Sequence, residues 1–419
     1  MNERIVVGVD IGTTKVVALV ASADAHDRIN ILGVGWAPSD GLNRGVVVNI
    51  DKTVAAVQQA VQDAERMAGV EVRSVLVGIA GDHIQSFQGK SIITTASGDG
   101  EITQADIDRL LDDARNVSIP ADRKILHVIP QEYVVDGQDG VIDPVGMSGV
   151  RVEAKVHIIS GLVTAAKNIY RCIEKAGYEV TDIVLEPLAS SYAVLHDDEK
   201  EVGVALVDIG GGTTDIAVFE DTTIRHTAVV AIAGNKVTDD LHKGLGILRD
   251  QAEALKRDHG VAVVDRVDFD DEITIPGIGG RPAKAILKST LAQIIQPRLE
   301  EILEIVDIEL KRHYPRRLSS GVVLTGGGSL IPHTAELASE ILDMEARIGT
   351  PLGLAGGLVQ EVSDPQYSTA VGLVLYGLKT NADQQSYFAP VPSGDGHASD
   401  GDKLFGRIAN RMGDWFREL

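Results

Sequence analysis

The strongest constraint on the fold of this chain is a short pattern that occurs twice. The first copy is VGVDIGTTKVVALV at residues 7–20, and the second is VALVDIGGGTTDIAVF at residues 204–219. In each copy an apolar run leads into Asp-Ile, a glycine turn, two threonines and a second apolar run. Short, continuous β-branched runs are typical of strands buried on both faces. The repeat therefore predicts two similar lobes, each with a strand–turn–strand hairpin.

Length, charge and cysteine content limit the class of the protein. A chain of 419 residues is too long for one hydrophobic core and predicts two or more lobes. The net charge of −22 argues against nucleic acid as a partner, because a polyanion would be repelled. The single cysteine, Cys172, excludes a disulfide framework, fits a reducing cytosol and is expected in the core. The sequence shows neither a signal peptide nor an apolar stretch of about 20 residues that would span a membrane.

The glycine turns predict that both hairpins bind phosphate. Successive backbone N–H groups in such a turn form a concavity that binds anions, and hydroxyl or ammonium donors follow each turn. The candidate phosphate-binding residues are Gly12, Thr13, Thr14, Lys15, Gly210, Gly211, Gly212, Thr213 and Thr214. Asp10 and Asp208 end the preceding strands and suit Mg²⁺, held directly or through water. A single glycine turn is common in tight hairpins, but two copies in the same order favour a clamp on one polyphosphate.

A third glycine cluster and a helical acid–base pair suggest where a nucleoside would lie. A buried strand, GVVLT, is followed by the three glycines Gly326, Gly327 and Gly328, and a flat adenine or ribose can lie against such bare backbone. In a helical stretch, Glu253 and Lys256 are three residues apart and share one face. Two interpretations of this pair stay open: a polar contact to the nucleoside, or a solvated ion pair.

One further carboxylate lies at a predicted junction between a strand and a helix. The strand DIVL ends at Glu186-Pro187, and proline is favoured in the first turn of a helix. Glu186 would then lie on the rim, where it can orient a water molecule. The alternative is a carboxylate that interacts only with the helix dipole, and the residues alone do not separate the two.

The order of these segments resembles the actin, sugar-kinase and heat-shock-70 ATPase superfamily, from about residue 5 to residue 380. The resemblance implies an α/β fold of two ribonuclease-H-like lobes, with ATP and Mg²⁺ in the cleft between them. It also implies that the two hairpin turns are phosphate loops and that residues 326–328 are the adenosine loop. Glu186 is in the position where the superfamily has a water-orienting acid.

An inserted segment narrows the resemblance to one family. After the strand VLVGIA comes a segment that ends in HVIPQEYVVDGQDGVIDPVGMSGVRVEAKVHIISG at residues 127–161. This segment closely resembles the FtsA family of bacterial cell-division proteins, in which subdomain 1C occupies this place. Its own pattern predicts an α+β module, with a helix capped by Thr103 and strands on either side. The module shows no catalytic constellation, so we expect an interaction surface, with His127 and His157 as satisfied strand histidines.

The resemblance also implies how the chain divides. The predicted segments are subdomain 1A at 1–83, the inserted subdomain 1C at 84–161, the rest of 1A at 162–198, subdomain 2A at 199–227, subdomain 2B at 228–300, the rest of 2A at 301–360, a return to the first lobe at 361–380, a flexible linker at 381–401 and an amphipathic helix at 402–419. A long amphipathic helix, interrupted at Pro297, is predicted over residues 284–313. By resemblance, subdomain 2B binds the tubulin-like division protein FtsZ, and subdomain 1C binds later division proteins.

The C-terminal segment has the pattern of a membrane-surface helix. On a helical projection of GDKLFGRIANRMGDWFREL, large apolar residues fall in one arc and cations lie opposite. The apolar residues are Leu404, Phe405, Ile408, Met412, Trp415 and Phe416, and the cations include Lys403, Arg407 and Arg411. A large apolar face, a cationic polar face and a polar tether are typical of helices that lie on anionic membranes. The alternative is a helix packed on its own lobe.

Two classes of function fit these observations. The first is an ATP-binding, actin-like scaffold that forms filaments and anchors the FtsZ ring at the division septum, on the cytoplasmic face of the inner membrane. The second is a scaffold like the pilus protein PilM, or a working enzyme such as a small-molecule kinase. The amphipathic tail favours the first, because a soluble kinase has no use for it. Whether ATP is hydrolysed stays open, and we expect a weak ATPase at most.

Overall fold

The computed structural model of the chain describes residues 4–386, apart from residues 25, 27, 97–99, 269, 276, 278, 280 and 281. The chain divides into two compact units, Met1–Leu378 and Lys379–Leu419. The predicted helix at 402–419, with all its apolar and cationic residues, lies outside the described residues. None of the helices described has both the length and the hydropathy that crossing a bilayer requires.

The first part of the chain alternates strands with one long helix. Its elements are β1 (Arg4–Ile11), β2 (Lys15–Ala23), β3 (Ile29–Pro38), β4 (Leu42–Asn43), β5 (Val46–Val47), α1 (Ile50–Ala68) and β6 (Ser74–Ile79). The Asn49 side chain caps α1 by accepting a hydrogen bond from the Lys52 N–H. Gly69 ends the helix in the left-handed conformation that favours glycine. Local capping signals thus set both ends of α1.

The inserted segment forms a small sheet with one helix against it. Its elements are β7 (Gln85–Thr94), α2 (Gln104–Ala114), β8 (Arg123–Val135), β9 (Gln138–Val141) and β10 (Arg151–Leu162), with the sheet order β7-β10-β8-β9. Thr103 caps α2 in a capping box with Asp106, which confirms the predicted cap. Ile107, Leu110 and Ala114 are buried in the core of this module.

Three helices and one strand then lead from the inserted module to the second lobe. They are α3 (Val163–Ala176), β11 (Glu179–Leu185), α4 (Glu186–Val194) and α5 (Asp197–Val202). The strand ends at Leu185 and α4 begins at Glu186 with proline in its first turn, which confirms the predicted junction. Cys172 is fully buried in α3, as expected of a core residue.

The second lobe contains a second sheet with longer helices. Its elements are β12 (Val204–Ile209), β13 (Thr214–Glu220), β14 (Thr223–Val230), α6 (Gly234–Leu245), α7 (Arg249–His259), β15 (Glu272–Ile275), β16 (Lys284–Leu287), α8 (Lys288–His313), β17 (Val322–Thr325), α9 (Thr334–Leu342) and β18 (Ala346–Ile348). The chain closes with β19 (Leu354–Gly357) and α10 (Ser368–Ser386). Helix α10 continues to Ser386, so the first residues of the predicted linker are helical.

The prediction for the long helix was wrong at two points. Residues 284–287 form the strand β16, which pairs with β15, so the helix begins at Lys288. Pro297 lies inside α8 and does not interrupt it. Proline within a helix removes one backbone hydrogen bond, but α8 offsets this loss by burying eight residues, from Leu291 to Leu310, along its length. The predicted boundary between subdomains 2B and 2A at residue 300 therefore falls within one continuous helix.

The two large sheets share the same topology over five strands, which confirms the two similar lobes, and the first sheet adds β19 as a sixth strand. The first has the order β11-β6-β1-β2-β3-β19, and the second has the order β14-β13-β12-β17-β18. In each lobe the strand that carries the Asp-Ile pattern is central. It pairs antiparallel with its hairpin partner, β2 or β13, and parallel with the strand on its other side, β6 or β17.

Two helices join the lobes and bring the hairpins together. One hydrophobic cluster contains residues of both sheets together with buried faces of α4 and α10. A Cβ on Gly372 of α10 would lie 1.9 Å from the carbonyl oxygen of Ala189 on α4, so these helices cross in backbone contact. The cleft between the lobes therefore has a closely packed base.

The inserted module also contacts the second lobe directly, through β14. The hydroxyl of Ser86 donates to the carbonyl oxygen of Thr227 at 2.8 Å, and Nε2 of His157 lies 3.0 Å from the Thr227 hydroxyl. His127 accepts a hydrogen bond from the Leu185 N–H at 3.0 Å, which confirms it as a satisfied histidine. His157 is satisfied only in part, since its Nδ1 is buried without a partner among the described residues.

Candidate functional site

The turns of the two repeated hairpins face each other across the cleft. A Cβ on Gly211 would lie 2.4 Å from Cγ2 of Thr14. A Cβ on Gly212 would lie 2.6 Å from the hydroxyl oxygen of Thr13. Real Cβ atoms do not approach other atoms so closely, so the second turn needs glycine where the first presents threonine. The structure thus brings together the two turns that the sequence predicts as phosphate loops.

Both turns have the same backbone hydrogen bond. The N–H of Gly12 donates to the carbonyl oxygen of Lys15 at 3.0 Å, and the N–H of Gly210 donates to that of Thr213 at 2.9 Å. Within the part of the chain that the structure describes, the N–H groups of Gly211 and Gly212 have no acceptor. These two backbone donors are therefore free to bind an anion.

The two threonines of the second turn are placed differently from those of the first. The Thr213 hydroxyl donates to Oδ2 of Asp215 at 3.0 Å, and the Thr214 hydroxyl donates to the Ile232 carbonyl at 2.8 Å. In this structure both hydroxyl protons are donated to acceptors inside the protein. In the first turn, the Thr13 hydroxyl oxygen accepts from the Gly45 N–H at 3.3 Å, which leaves its own proton free to donate.

The third glycine cluster packs on the second hairpin. Gly326 has a φ of +81°, and a Cβ there would lie 2.2 Å from Oδ1 of Asp208. A Cβ on Gly328 would lie 2.4 Å from Cγ2 of Ile209. At Gly327 a Cβ would meet no heavy atom within 4 Å. Two of the three glycines thus allow close backbone packing, and Gly327 alone faces open space.

Four carboxylates and one lysine lie together beside the paired turns. Burial raises the pKa of Asp10, and the neighbouring Asp208 raises it further while Lys15 opposes the rise. Burial also raises the pKa of Asp215, helped by Asp208 and Asp10. Burial and the same three aspartates raise the pKa of Glu186 well above its ordinary value. The cluster therefore has more negative charge than Lys15 can balance.

Two hydroxyl groups from the joining helices hold Asp208. Its Oδ2 accepts from Ser190 Oγ on α4 at 3.1 Å and from Thr369 Oγ1 on α10 at 3.3 Å. Burial raises the pKa of Asp208, and these two hydrogen bonds act against the rise. The base of the cleft thus orients one of the two predicted metal ligands. No signal in the sequence alone connects Ser190 and Thr369 to this site.

Asp215 is the acid that the sequence analysis missed. It faces Asp208 in the pairing of β12 with β13, and its Oδ1 is buried without a partner among the described residues. A signal was present: Asp215 begins a second Asp-Ile pair, directly after the two threonines, where the first copy has Lys15. The hairpin repeat therefore places a lysine on one lobe and an aspartic acid at the matching position of the other.

Lys15 lies beside the turn at Pro365–Tyr367, directly before α10. Its Nζ donates to the side-chain oxygen of Gln366 at 3.2 Å and lies 4.2 Å from the centroid of the Tyr367 ring. Burial lowers the pKa of Lys15 to about 8, against the opposing effect of Asp10 and Asp208. A dianionic phosphate beside this ammonium would restore its full charge.

The Glu253–Lys256 pair forms an ion pair next to the second turn. Nζ of Lys256 donates to Oε2 of Glu253 at 2.7 Å, to Thr238 Oγ1 at 3.0 Å and to the Gly234 carbonyl at 3.2 Å. An ammonium has three protons, so Lys256 has none left for a nucleoside. The N–H of Gly234 in turn donates to the carbonyl oxygen of Gly210 at 3.1 Å. The Lys256 side chain is buried and that of Glu253 is 38% exposed, and through Gly234 the pair supports the second turn.

The site as a whole fits a polyphosphate with a divalent cation. The free N–H groups of Gly211 and Gly212, the Thr13 hydroxyl and Lys15 are donors for phosphate oxygens. Asp10, Asp208 and Asp215 supply the oxygen ligands that Mg²⁺ prefers, and a bound cation would relieve their mutual repulsion. Glu186 lies at the edge of the same cluster, 2.9 Å from where a Cβ of Gly78 would be. Among the described residues, Oδ1 of Asp215 is buried without a hydrogen-bond partner, so this oxygen is available to bind a cation.

Comparisons with known proteins agree with this architecture. A family model described as "Cell division protein FtsA" matches residues 205–372, and a model described as "SHS2 domain inserted in FTSA" matches residues 81–160. The chain is 45% identical over 413 residues to the cell division protein FtsA of Pseudomonas aeruginosa, covering 98% of this chain and 97% of that one. It is 40% identical to the FtsA of Escherichia coli K12, covering 100% and 97%.

Solved structures show the same fold at low sequence identity. The PilM–PilN type IV pilus biogenesis complex matches with a TM-score of 0.65 and 15% identity, over 89% of this chain and 98% of that one. MreB5 of Spiroplasma citri bound to ADP matches with a TM-score of 0.54 and 16% identity, over 91% and 98%. These similarities confirm the actin-like fold.

Proposed function

This chain belongs to the FtsA family of cell-division proteins, and we propose that it is an ATP-dependent scaffold that forms filaments and anchors the FtsZ ring to the membrane. The observation that carries the proposal is the contact between Thr14 and Gly211, which joins the two glycine turns at one acid cluster. A single ligand in this place touches both lobes. Its binding therefore favours one relative arrangement of the lobes, which is what a filament subunit needs.

The phosphates of ATP are held by the two turns. The N–H groups of Gly211 and Gly212, the Thr13 hydroxyl and Lys15 bind the oxygens, while Asp10, Asp208 and Asp215 hold Mg²⁺ directly or through water. The adenosine lies against Gly327, the glycine of its cluster that faces open space. In support, the MreB5 structure with the same fold contains ADP. Mg²⁺ would supply charge neutralisation at the phosphates when bound.

Glu186 is the residue that would accept a proton from an attacking water. In the cluster described above its raised pKa favours the protonated form, which cannot act as a base. Neutralisation of the neighbouring aspartates by a cation would lower this pKa and release the carboxylate. Hydrolysis is therefore slow, and ATP acts chiefly as a ligand that stabilises the state to which it binds.

The family suggests which proteins this chain binds, and the C-terminal segment at 402–419 suggests how it binds the membrane. Subdomain 2B binds FtsZ, subdomain 1C binds later division proteins, and the helix at 402–419 lies on the anionic cytoplasmic face of the inner membrane at the septum. The remaining body is acidic, because the whole chain carries −22 and residues 401–419 carry four Lys or Arg against three Asp or Glu. An acidic body is repelled by an anionic membrane, so the tail must supply the attachment.

A titration tests the nucleotide part of the proposal. Calorimetry of the full chain with ATP should show one site whose affinity is higher with Mg²⁺ than with EDTA. Asp208→Ala should weaken binding in Mg²⁺ more than binding in EDTA, because it removes a metal ligand and no phosphate donor. Asp197→Ala is the matched control, since this acid is 94% exposed on α5. Absence of saturable ATP binding by the parent would contradict the proposal.

A further inference from the structure

Two histidines and a glutamate meet at a place that the nucleotide site does not use. His226 lies on β14, while Glu309 and His313 are four residues apart on the last turn of α8 and so share one face. Nε2 of His226 is 3.1 Å from Oε1 of Glu309, and Nε2 of His313 is 3.5 Å from the same oxygen. All three possible ligand atoms lie within 4.8 Å of one another.

The two distances from the imidazole nitrogens to the carboxylate oxygen are close to those between ligands of one metal ion. Zinc binds imidazole nitrogen and carboxylate oxygen at about 2.0–2.1 Å in tetrahedral sites, so two of its ligands are about 3.4 Å apart. The two measured separations lie on either side of that value. Imidazole and carboxylate together are the ligand set that zinc and similar transition metals prefer.

Charges at the end of α8 act on a cation in both directions. The partial negative charge of the helix C-terminus attracts it, and Lys311 and Arg312 in the same turn oppose it. The His226 side chain is 14% exposed, so the site is only partly open to water. Nε2 of both histidines now lies near the same oxygen of Glu309, and a bound cation would contact that oxygen in their place.

We propose that His226, Glu309 and His313 form a binding site for one divalent transition-metal ion of the zinc type. The two rings are stacked, with centroids 4.8 Å apart and an angle of 3° between their planes. Parallel rings cannot both direct a lone pair at one ion, so one ring turns as the ion binds. His313 is the ring that turns, because its side chain is 45% exposed. A water molecule completes the fourth position.

The place of this site in the fold gives it a structural role. It joins the C-terminal end of α8 to β14, and β14 is the strand on which the inserted module packs. Thr227, which follows His226, accepts the hydrogen bond from Ser86 and contacts His157. An ion at His226 would therefore stabilise β14, the strand of the second lobe that contacts subdomain 1C.

Metal titration of the full chain tests the site. The protein is treated with EDTA, dialysed and titrated with Zn²⁺ by calorimetry, and with Co²⁺ by visible absorption, which reports tetrahedral coordination. With excess Mg²⁺ present to occupy the acid cluster of the cleft, we expect one Zn²⁺ site per chain. Glu309→Gln and His313→Gln should each lower the Zn²⁺ affinity by more than about tenfold, since disturbing even an outer-shell partner of a metal has such an effect.

A second histidine–glutamate pair provides the control. Nδ1 of His333 lies 3.0 Å from Oε2 of Glu336 on the surface of the second lobe. Among the described residues, no third ligand groups with this pair. His333→Gln should therefore leave Zn²⁺ affinity unchanged. Absence of stoichiometric binding, or an affinity that Glu309→Gln and His313→Gln leave unaltered, would overturn the proposal, the latter by showing adventitious binding only. Unchanged circular dichroism and ATP binding would show that the variants are folded.

Discussion

Cγ2 of Thr14 lies only 2.4 Å from the position that a Cβ of Gly211 would take. These two residues belong to different lobes and are the tips of the two repeated hairpins. Gly211 is therefore needed for contact between the lobes. A side chain there would push the lobes apart even before a nucleotide binds.

This contact predicts a rescue experiment. Gly211→Ala should lower ATP affinity about tenfold, because overpacking of this size costs about 1–3 kcal/mol. Thr14→Ser removes the methyl group that a Cβ would meet and should restore part of the affinity in the double variant. Calorimetric titration of the parent, both single variants and the double variant gives the coupling energy. Additive effects of the two substitutions would show that the turns do not touch in solution.

Gly327 separates nucleotide binding from folding. Its Cβ position is empty, so Gly327→Val should change the free energy of unfolding by no more than about 0.5 kcal/mol, as for a surface substitution. If the adenosine lies there, the same change should lower ATP affinity at least about tenfold. Urea denaturation and ATP titration of the one variant measure both quantities. Full ATP affinity in Gly327→Val would place the adenosine elsewhere.

The sequence predicted what local chemistry determines. The Thr103 cap, the Leu185–Glu186 junction and both hairpins are confirmed, because capping, proline position and apolar runs act over a few residues. The helix prediction over 284–313 was wrong, because apolar spacing alone did not distinguish the strand Lys284–Leu287 from the helix that follows it. Pro297 is tolerated because tertiary burial outweighs its local cost.

The acid cluster could be predicted only in part. Asp10 and Asp208 were identified from their strand ends, but Asp215 needs the pairing of β12 with β13 to bring it opposite Asp208. Lys256 looked available in the sequence, and only the fold shows that Gly234, Thr238 and Glu253 use its three protons. Contacts between segments that are distant in the chain decide both cases; the second Asp-Ile pair marks Asp215 in the sequence but does not show that it faces Asp208.

The buried acids predict how stability depends on pH without nucleotide. The pKa of Asp10 is raised from its ordinary value of 3.8 to about 7, and that of Asp215 to about 8. Between the unfolded and folded values the folded protein binds more protons than the unfolded chain. These groups therefore stabilise the fold most below about pH 4, and this stabilisation is lost as the pH rises through about 7 to 8.

Asp215→Asn tests this dependence, because asparagine imitates the protonated acid. In EDTA the variant should be more stable than the parent at high pH, and the difference should shrink as the pH falls. Urea denaturation at about pH 5.5 to 8.5 measures it. Asp197→Asn, on an exposed acid, is the control and should follow the parent. A difference between Asp215→Asn and the parent that does not vary with pH would exclude a raised pKa at Asp215.

Glu186→Gln should separate binding from turnover. The amide keeps the size of the side chain but cannot accept a proton, so ATP affinity should stay near that of the parent while phosphate release falls. Because burial and then the neighbouring acids raise the pKa of Glu186, the turnover of the parent should increase with pH and depend on Mg²⁺. Equal rates of phosphate release in the parent and the variant would remove Glu186 from the mechanism.

Co-sedimentation with anionic vesicles tests the central claim that assembly and membrane attachment rise together. One amphipathic helix binds reversibly, and a filament presents many in a row, which raises their effective concentration. With Mg·ATP the parent should pellet with vesicles far more than without it, and Trp415→Glu should stay in the supernatant while still binding ATP. Trp36→Glu, the same change at a residue that is 58% exposed on β3, should pellet like the parent. Equal pelleting of the parent with and without Mg·ATP, or pelleting of Trp415→Glu, would contradict the account.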